Sequence, residues 1–136
     1  DLSSEAGTPV DISVKMTDDG KVVAVAIPYE EGTGRVYVYK QNTLDVPWTL
    51  VVNLTEDDAD PLFGRSMDIS EDGKRLAVAG STEARVYDLT MDPPVQLGQS
   101  MDLLDMAKRL PIVVSISNTL LGVGEFRGKE HEYSCD

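Results

Sequence analysis

The sequence predicts an all-β fold made of repeated antiparallel units, each of four short strands. Three observations carry this expectation. First, Asp19-Gly20 and Asp72-Gly73 each stand between apolar runs, and Asp-Gly is a strong hairpin signal because Gly supplies positive φ at little cost. Second, the surroundings of the two pairs match. Met16-Thr17-Asp18-Asp19-Gly20-Lys21 leads into Val22-Val23-Ala24-Val25-Ala26, and Asp68-Ile69-Ser70-Glu71-Asp72-Gly73-Lys74 leads into Arg75-Leu76-Ala77-Val78-Ala79, with the Asp-Gly pairs 53 positions apart. Third, a Val-Tyr segment follows each hairpin: Val36-Tyr37-Val38-Tyr39-Lys40, then Arg85-Val86-Tyr87-Asp88. Units of about 45–50 residues with four short strands read as blades of a β-propeller, and a chain of 136 residues holds two to three of them.

Taken in order, residues 1–9 are small and polar and form a loose leader. Residues 10–16 set Val10, Ile12, Val14 and Met16 against Asp11, Ser13 and Lys15, the period of a strand with one wet face. Residues 17–20 turn the chain. Residues 21–27 are apolar at every position after Lys21, with Ala at alternate places, which is how a strand buried on both faces reads. A loop with Tyr29, Glu30 and Glu31 leads to a strand over 35–40, whose alternation places Val36 and Val38 on one face and Tyr37 and Tyr39 on the other. An outer strand over 48–54 begins at Trp48, an amphipathic side chain expected to anchor packing.

The second unit spans 66–98. Pro93-Pro94 breaks structure between its third strand and a fourth, Val95-Gln96-Leu97, which matches Trp48-Thr49-Leu50 at a shift of 47. Residues 101–110 have a helical look, because Met101, Leu104, Ala107 and Leu110 share one face at helical spacing. A third unit, over 112–133, pairs residues 112–117 with 120–124 and ends on His131-Glu132-Tyr133; residues 134–136 are a tail.

A turn of the form Ser-x-Asp-Gly, a small-residue strand, Val-Tyr and then Trp, with Phe63-Gly64 just ahead of the middle unit, resembles the FG-GAP-like propeller repeats, distant relatives of the integrin α-chain propeller, and more broadly WD-like blades. The resemblance covers residues 10–133 and is densest in the middle copy. At the repeat shifts Phe63-Gly64 falls on Leu110-Pro111 and on Val10-Asp11, so the Phe-Gly pair stands in one copy. The resemblance implies a partial propeller that binds protein through its loops.

Charge narrows the partners. Twenty-four acidic against twelve basic residues give a net charge of −12, which repels polyanions and argues against nucleic acid. Cys135 stands alone and cannot form an internal disulfide. The apolar runs are too short to span a bilayer as a helix. The start at Asp1 rather than Met suggests a processed chain, and Asn53-Leu54-Thr55 is an N-glycosylation sequon; together they favour a secreted or organelle-lumenal route over the cytoplasm.

No catalytic constellation is visible. His131 has no Gly-x-Ser-x-Gly elbow to serve, there is no glycine-rich phosphate loop, and one His with one Cys is too few for zinc. Glu56, Asp57, Asp58 and Asp60 form the most acidic loop, and clustered carboxylates suit a hard cation such as calcium. The Asp-x-Asp-x-Asp-Gly loop of integrin-type propellers is absent, so the expectation is a solvated loop, with no cofactor and no metal required. The expected function is a non-catalytic protein-interaction module, with Tyr29, Trp48, Met101 and Leu104 as candidate partner-binding residues. Two other readings are a peripheral subunit of a large assembly, since open blade faces need covering, and a calcium-stabilised adhesion-type fragment.

Overall fold

The computed structural model describes residues 12–28, 34–43, 45–55, 62–103, 112–125 and 130–134. They form eleven strands: β1 (Ser13–Met16), β2 (Val22–Ile27), β3 (Arg35–Lys40), β4 (Thr49–Leu54), β5 (Ser66–Ile69), β6 (Arg75–Ala79), β7 (Glu83–Asp88), β8 (Val95–Asp102), β9 (Ile112–Ile116), β10 (Leu120–Glu125) and β11 (Glu130–Ser134). The strands make three antiparallel sheets in chain order, β1-β2-β3-β4, β5-β6-β7-β8 and β9-β10-β11. Two complete four-stranded blade-like units and a smaller third are thus present, as the repeat predicts.

The first two units open with hairpins held by the same bonds. In the first, the Thr17 hydroxyl donates to Asp19 Oδ1 at 2.7 Å and accepts from the Val22 amide at 3.1 Å, while the Lys21 amide donates to Asp19 Oδ1 at 3.0 Å. In the second, the Ser70 hydroxyl donates to Asp72 Oδ1 at 2.7 Å and accepts from the Arg75 amide at 3.0 Å, and the Lys74 amide donates to Asp72 Oδ1 at 3.0 Å. Gly20 and Gly73 hold φ of 68° and 69°, the left-handed conformation that a non-glycine residue adopts only at a cost. The aspartates are turn residues that bond the backbone two positions on. The third hairpin is shorter: Ser117, Asn118 and Thr119 replace the Asp-Gly loop, with the Thr119 amide bonded to the Ser117 hydroxyl at 3.3 Å.

The sheets stack face on face, with β5 packed beside both β1 and β9. Register decides which side chains meet. In the first sheet the rows Ala26–Val36–Leu54 and Ala24–Val38–Val52 look towards the second sheet. The second sheet returns Met67, Ile69, Leu76, Val78 and Tyr87, and together these build the first core. Its other face, with Ala77, Ala79, Ala84, Val86, Leu97 and Met101, meets Val114, Ile116 and Leu121 of the third sheet in a second core. One pattern therefore serves twice: small residues on the second strand of one unit receive large residues from the inner strand of the next. Close approach is what small side chains permit.

Phe63 and Gly64 lock the first junction. Phe63 is fully buried in the first core. Gly64 has φ of 88°, and a Cβ there would stand 2.8 Å from Ala26 Cβ and 3.0 Å from Val36 Cγ2. Gly34, which precedes β3, lies so close to Phe63 that a Cβ would overlap the Phe63 carbonyl. The Lys40 ammonium adds a bond across the same junction to the Leu89 carbonyl. At the second junction polar side chains act instead. Ser66 Oγ accepts from the Val114 amide at 3.0 Å, Asp68 Oδ2 accepts from the Ile116 amide at 3.0 Å, and Asn118 Oδ1 accepts from the Asp72 amide at 3.1 Å.

Three expectations change. Residues 21–27 do not form a doubly buried strand: Ala24 and Ala26 are buried, whereas Val23 and Val25 are half-buried, because among the described residues no sheet lies on the far side of the first unit. Double burial belongs to β6, the middle sheet's second strand, from Leu76 to Ala79. Met101 and Asp102 end β8 as strand rather than opening a helix over 101–110, because Met101 pairs with Ala84 and packs into the second core; residues 104–110 lie outside the described residues. Trp48 does not anchor packing: it is exposed, one residue ahead of β4.

The lock makes a graded prediction. Gly34→Ala and Gly64→Ala should each lower the unfolding free energy by about 3 kcal/mol, since the added methyl meets a packed neighbour that cannot swing away. Gly20→Ala, where a Cβ meets nothing within 4 Å, should cost only about 1–2 kcal/mol of backbone strain. Urea denaturation of the three variants checks the order.

Candidate functional site

The surface that stands out is the far face of the first sheet. Register sets Val14, Val25, Tyr37 and Asn53 in one row, and Met16, Val23, Tyr39 and Leu50 in the next. A β-bulge between Val38 and Tyr39 shifts the pairing, so that Leu50 rather than Val51 stands opposite Tyr39. The extra residue of a bulge turns a side chain to the other face, and here it adds Leu50 to the open side.

Repeat equivalence shows why this face is unusual. Val14 and Met16 are 56% and 60% exposed; their counterparts are Met67 and Ile69 at 2% and 9%, and Val114 and Ile116 at 4% and 6%. The same two positions are thus buried against a preceding sheet twice and uncovered once. Ile12, Trp48 and Leu50 are also exposed, and Val23, Val25, Tyr37 and Tyr39 are half-buried among them. A contiguous apolar patch of this kind marks an interaction surface more often than an isolated exposed Leu or Val does.

The residues expected from sequence fall in different places. Trp48 lies near the open face and is exposed. Asn53 is exposed on β4, in the row of Tyr37, so the sequon is accessible and on the same side as the apolar patch. Met101 packs within the second core, away from that side. Tyr29, Leu104 and the acidic loop of Glu56, Asp57, Asp58 and Asp60 lie outside the described residues. Among the described residues no three His, Cys, Asp or Glu side chains gather as a metal site, and no helix is long and apolar enough to cross a membrane. Val14, Met16 and Leu50 were missed as a site. Aligning Met16 with Ile69 signals the first two; nothing in the sequence announces the bulge that turns Leu50.

The turns form a second feature. A cleft of about 260 Å³ between the first two hairpins is lined by Asp19, Lys21, Lys40, Asp72, Lys74 and Leu89, among others. It is smaller than common ligand pockets, and its lysines alternate with carboxylates. The Asp19 carboxyl is held below its ordinary value first by the Thr17 hydroxyl and then by the Lys21 amide. Asp72 is lowered first by the Ser70 hydroxyl, against a smaller opposing effect of burial, and Asp88 first by the Thr90 hydroxyl. These carboxylates organise turns, each accepting a backbone amide two residues on.

No protein-family model matches the chain, and comparison with curated proteins yields no match.

The turn carboxylates give a pH prediction. A carboxyl whose folded pKa is depressed adds stability that is fully present above its unfolded value, about 3.9 for Asp, and that is lost as pH falls through the folded value. The Asp19→Asn/Asp72→Asn double variant should therefore have a lower urea midpoint than the parent at pH 6, with the gap narrowing below about pH 3.9. A gap that does not change with pH contradicts the assignment.

Proposed function

We propose that the chain is a non-catalytic protein-interaction module built from propeller-type blades of the FG-GAP-like or WD-like kind. The observation that carries this reading is the uncovered apolar face of the first sheet, at positions that the second and third sheets bury. A face of that composition is stable in water only at a cost of about 25 cal/mol for each Å² of apolar area left wet, and covering it with another protein recovers that free energy. The blade kind rests on the repeated Asp-Gly hairpin, the Val-Tyr third strand and the Phe63-Gly64 pair. Partner binding is expected to use the sheet face, with Trp48 at its margin; the acidic surface favours a partner without strong negative charge.

The test replaces Leu50 with Asp. Leu50 is exposed and outside both cores, so circular dichroism and the urea midpoint should hold. Proteins retained by the immobilised parent chain should be lost from Leu50→Asp, and one of them, purified, should bind the parent with a Kd at least about 10-fold below that for the variant. Equal retention by both, or turnover of a substrate by the purified chain, would reject the reading.

A further inference from the structure

The outer strand of the first unit lacks the protection that its counterpart in the second unit has. Among the described residues β4 and β8 each end their sheet, and an edge strand offers its outer row of backbone groups to other chains. From Trp48 to Leu54 the sequence Trp-Thr-Leu-Val-Val-Asn-Leu holds no charge, no Pro and no Gly, and Trp48, Thr49 and Leu50 are exposed. A short run of high β-propensity without charge or Pro is the kind that recruits strands from other molecules. β8 differs: Gln96, Ser100 and Asp102 are polar, and Gly98, at φ of 67°, interrupts the strand. What β4 has instead is the Asn53-Leu54-Thr55 sequon. Leu54 is buried in the first core, while Asn53 and Thr55 on either side of it are exposed. Alternation along the strand thus brings the acceptor amide to the surface beside the apolar edge.

We propose that Asn53 is an N-glycosylation site and that its glycan shields the edge of β4 from pairing with other chains. The donor is a lipid-pyrophosphate-linked oligosaccharide of the secretory pathway, and a transferase catalyses the step. Asn53 Nδ2 bonds to C1 of the first N-acetylglucosamine, the bond from that carbon to the pyrophosphate oxygen breaks, the lipid pyrophosphate leaves, and the transferase takes one amide proton. A bulky, hydrated sugar chain rooted in the strand does for this edge what charged residues and Pro do for others. The repeat indicates that such a glycan leaves the sheet face usable. Ser100 precedes Met101, opposite Ala84, as Asn53 precedes Leu54, opposite Val36. Ser100 stays partly exposed although the first sheet packs on that side of the second. A glycan at Asn53 and a protein seated on the open face are therefore compatible.

The test expresses the chain behind a secretion signal in eukaryotic cells and reads residue 53 by mass spectrometry, in secreted and retained chain alike. One glycan is expected at Asn53, released by peptide N-glycosidase with conversion of that residue to aspartate. Thr55→Ala should lose the glycan and Thr55→Ser should keep it. Asn53→Gln should keep the parent's circular dichroism, since Asn53 is exposed. By light scattering it should aggregate at least about 10-fold faster than the glycosylated parent in about 0.15 M salt, where the net charge of the chain is screened. Adding Leu50→Lys to Asn53→Gln places a charge in the exposed part of the strand and should restore the parent's rate. An unmodified Asn53 overturns the proposal. So does an Asn53→Gln chain that aggregates no faster than the parent, or one that Leu50→Lys does not rescue.

Discussion

Two β-sheets pack closely only if one of them gives up side-chain bulk, and this constraint shapes the described structure. Ala24 and Ala26 vacate the space that Met67 and Ile69 occupy, and Ala77 and Ala79 do the same for Val114 and Ile116. Gly34 and Gly64 carry the demand to its limit, because backbone of one unit there lies directly on backbone or methyl groups of the next. The small residues are thus not weak places in the strands. They are the receiving half of a contact whose other half lies 35 to 45 residues further on, in the next unit.

Apolar contact alone leaves two sheets free to slide, and polar groups at the rim remove that freedom. The Asp68 carboxylate and the Ser66 hydroxyl accept amides from β9, and the Asn118 side chain joins the third hairpin to the second. At the first junction Lys15 stands where Asp68 does in the next unit, and the lock there is steric, through Phe63 and Gly64, with Lys40 bonded to the Leu89 carbonyl. The two junctions therefore share an apolar pattern and differ in what fixes their register. Phe63-Gly64 has no counterpart at the repeat shifts, which accords with that difference.

Much of this was legible in the residues, because turn chemistry and strand period are local. The Asp-Gly hairpins lie where the repeat places them, with Thr17 and Ser70 completing the loops, and β3 covers residues 35–40 as its alternation implies. What was not legible is set by neighbours. The apolar run at 21–27 matches that of β6, yet β6 has a sheet on each side and β2 has one. Met101 fits a helical period and lies in a strand, because its cross-strand partner Ala84 and the second core decide its conformation. Trp48 looks like an anchor and is exposed, since among the described residues no sheet covers the face beside it. The open face itself is spread over four strands, and its last member, Leu50, is placed there by a bulge.

The central claim is that position in the stack, rather than residue type, decides what each inner-strand side chain contributes. The direct measurement is equilibrium urea denaturation of Ile69→Ala and Met16→Ala, two residues at the same place in successive units, at a concentration low enough to keep the chain monomeric. The account predicts a loss of about 2–4 kcal/mol for Ile69→Ala, as for a buried large-to-small change, and less than about 0.5 kcal/mol for Met16→Ala, as for an exposed one. Equal losses would contradict it, because they would mean that the first unit's inner strand is covered as fully as the second's.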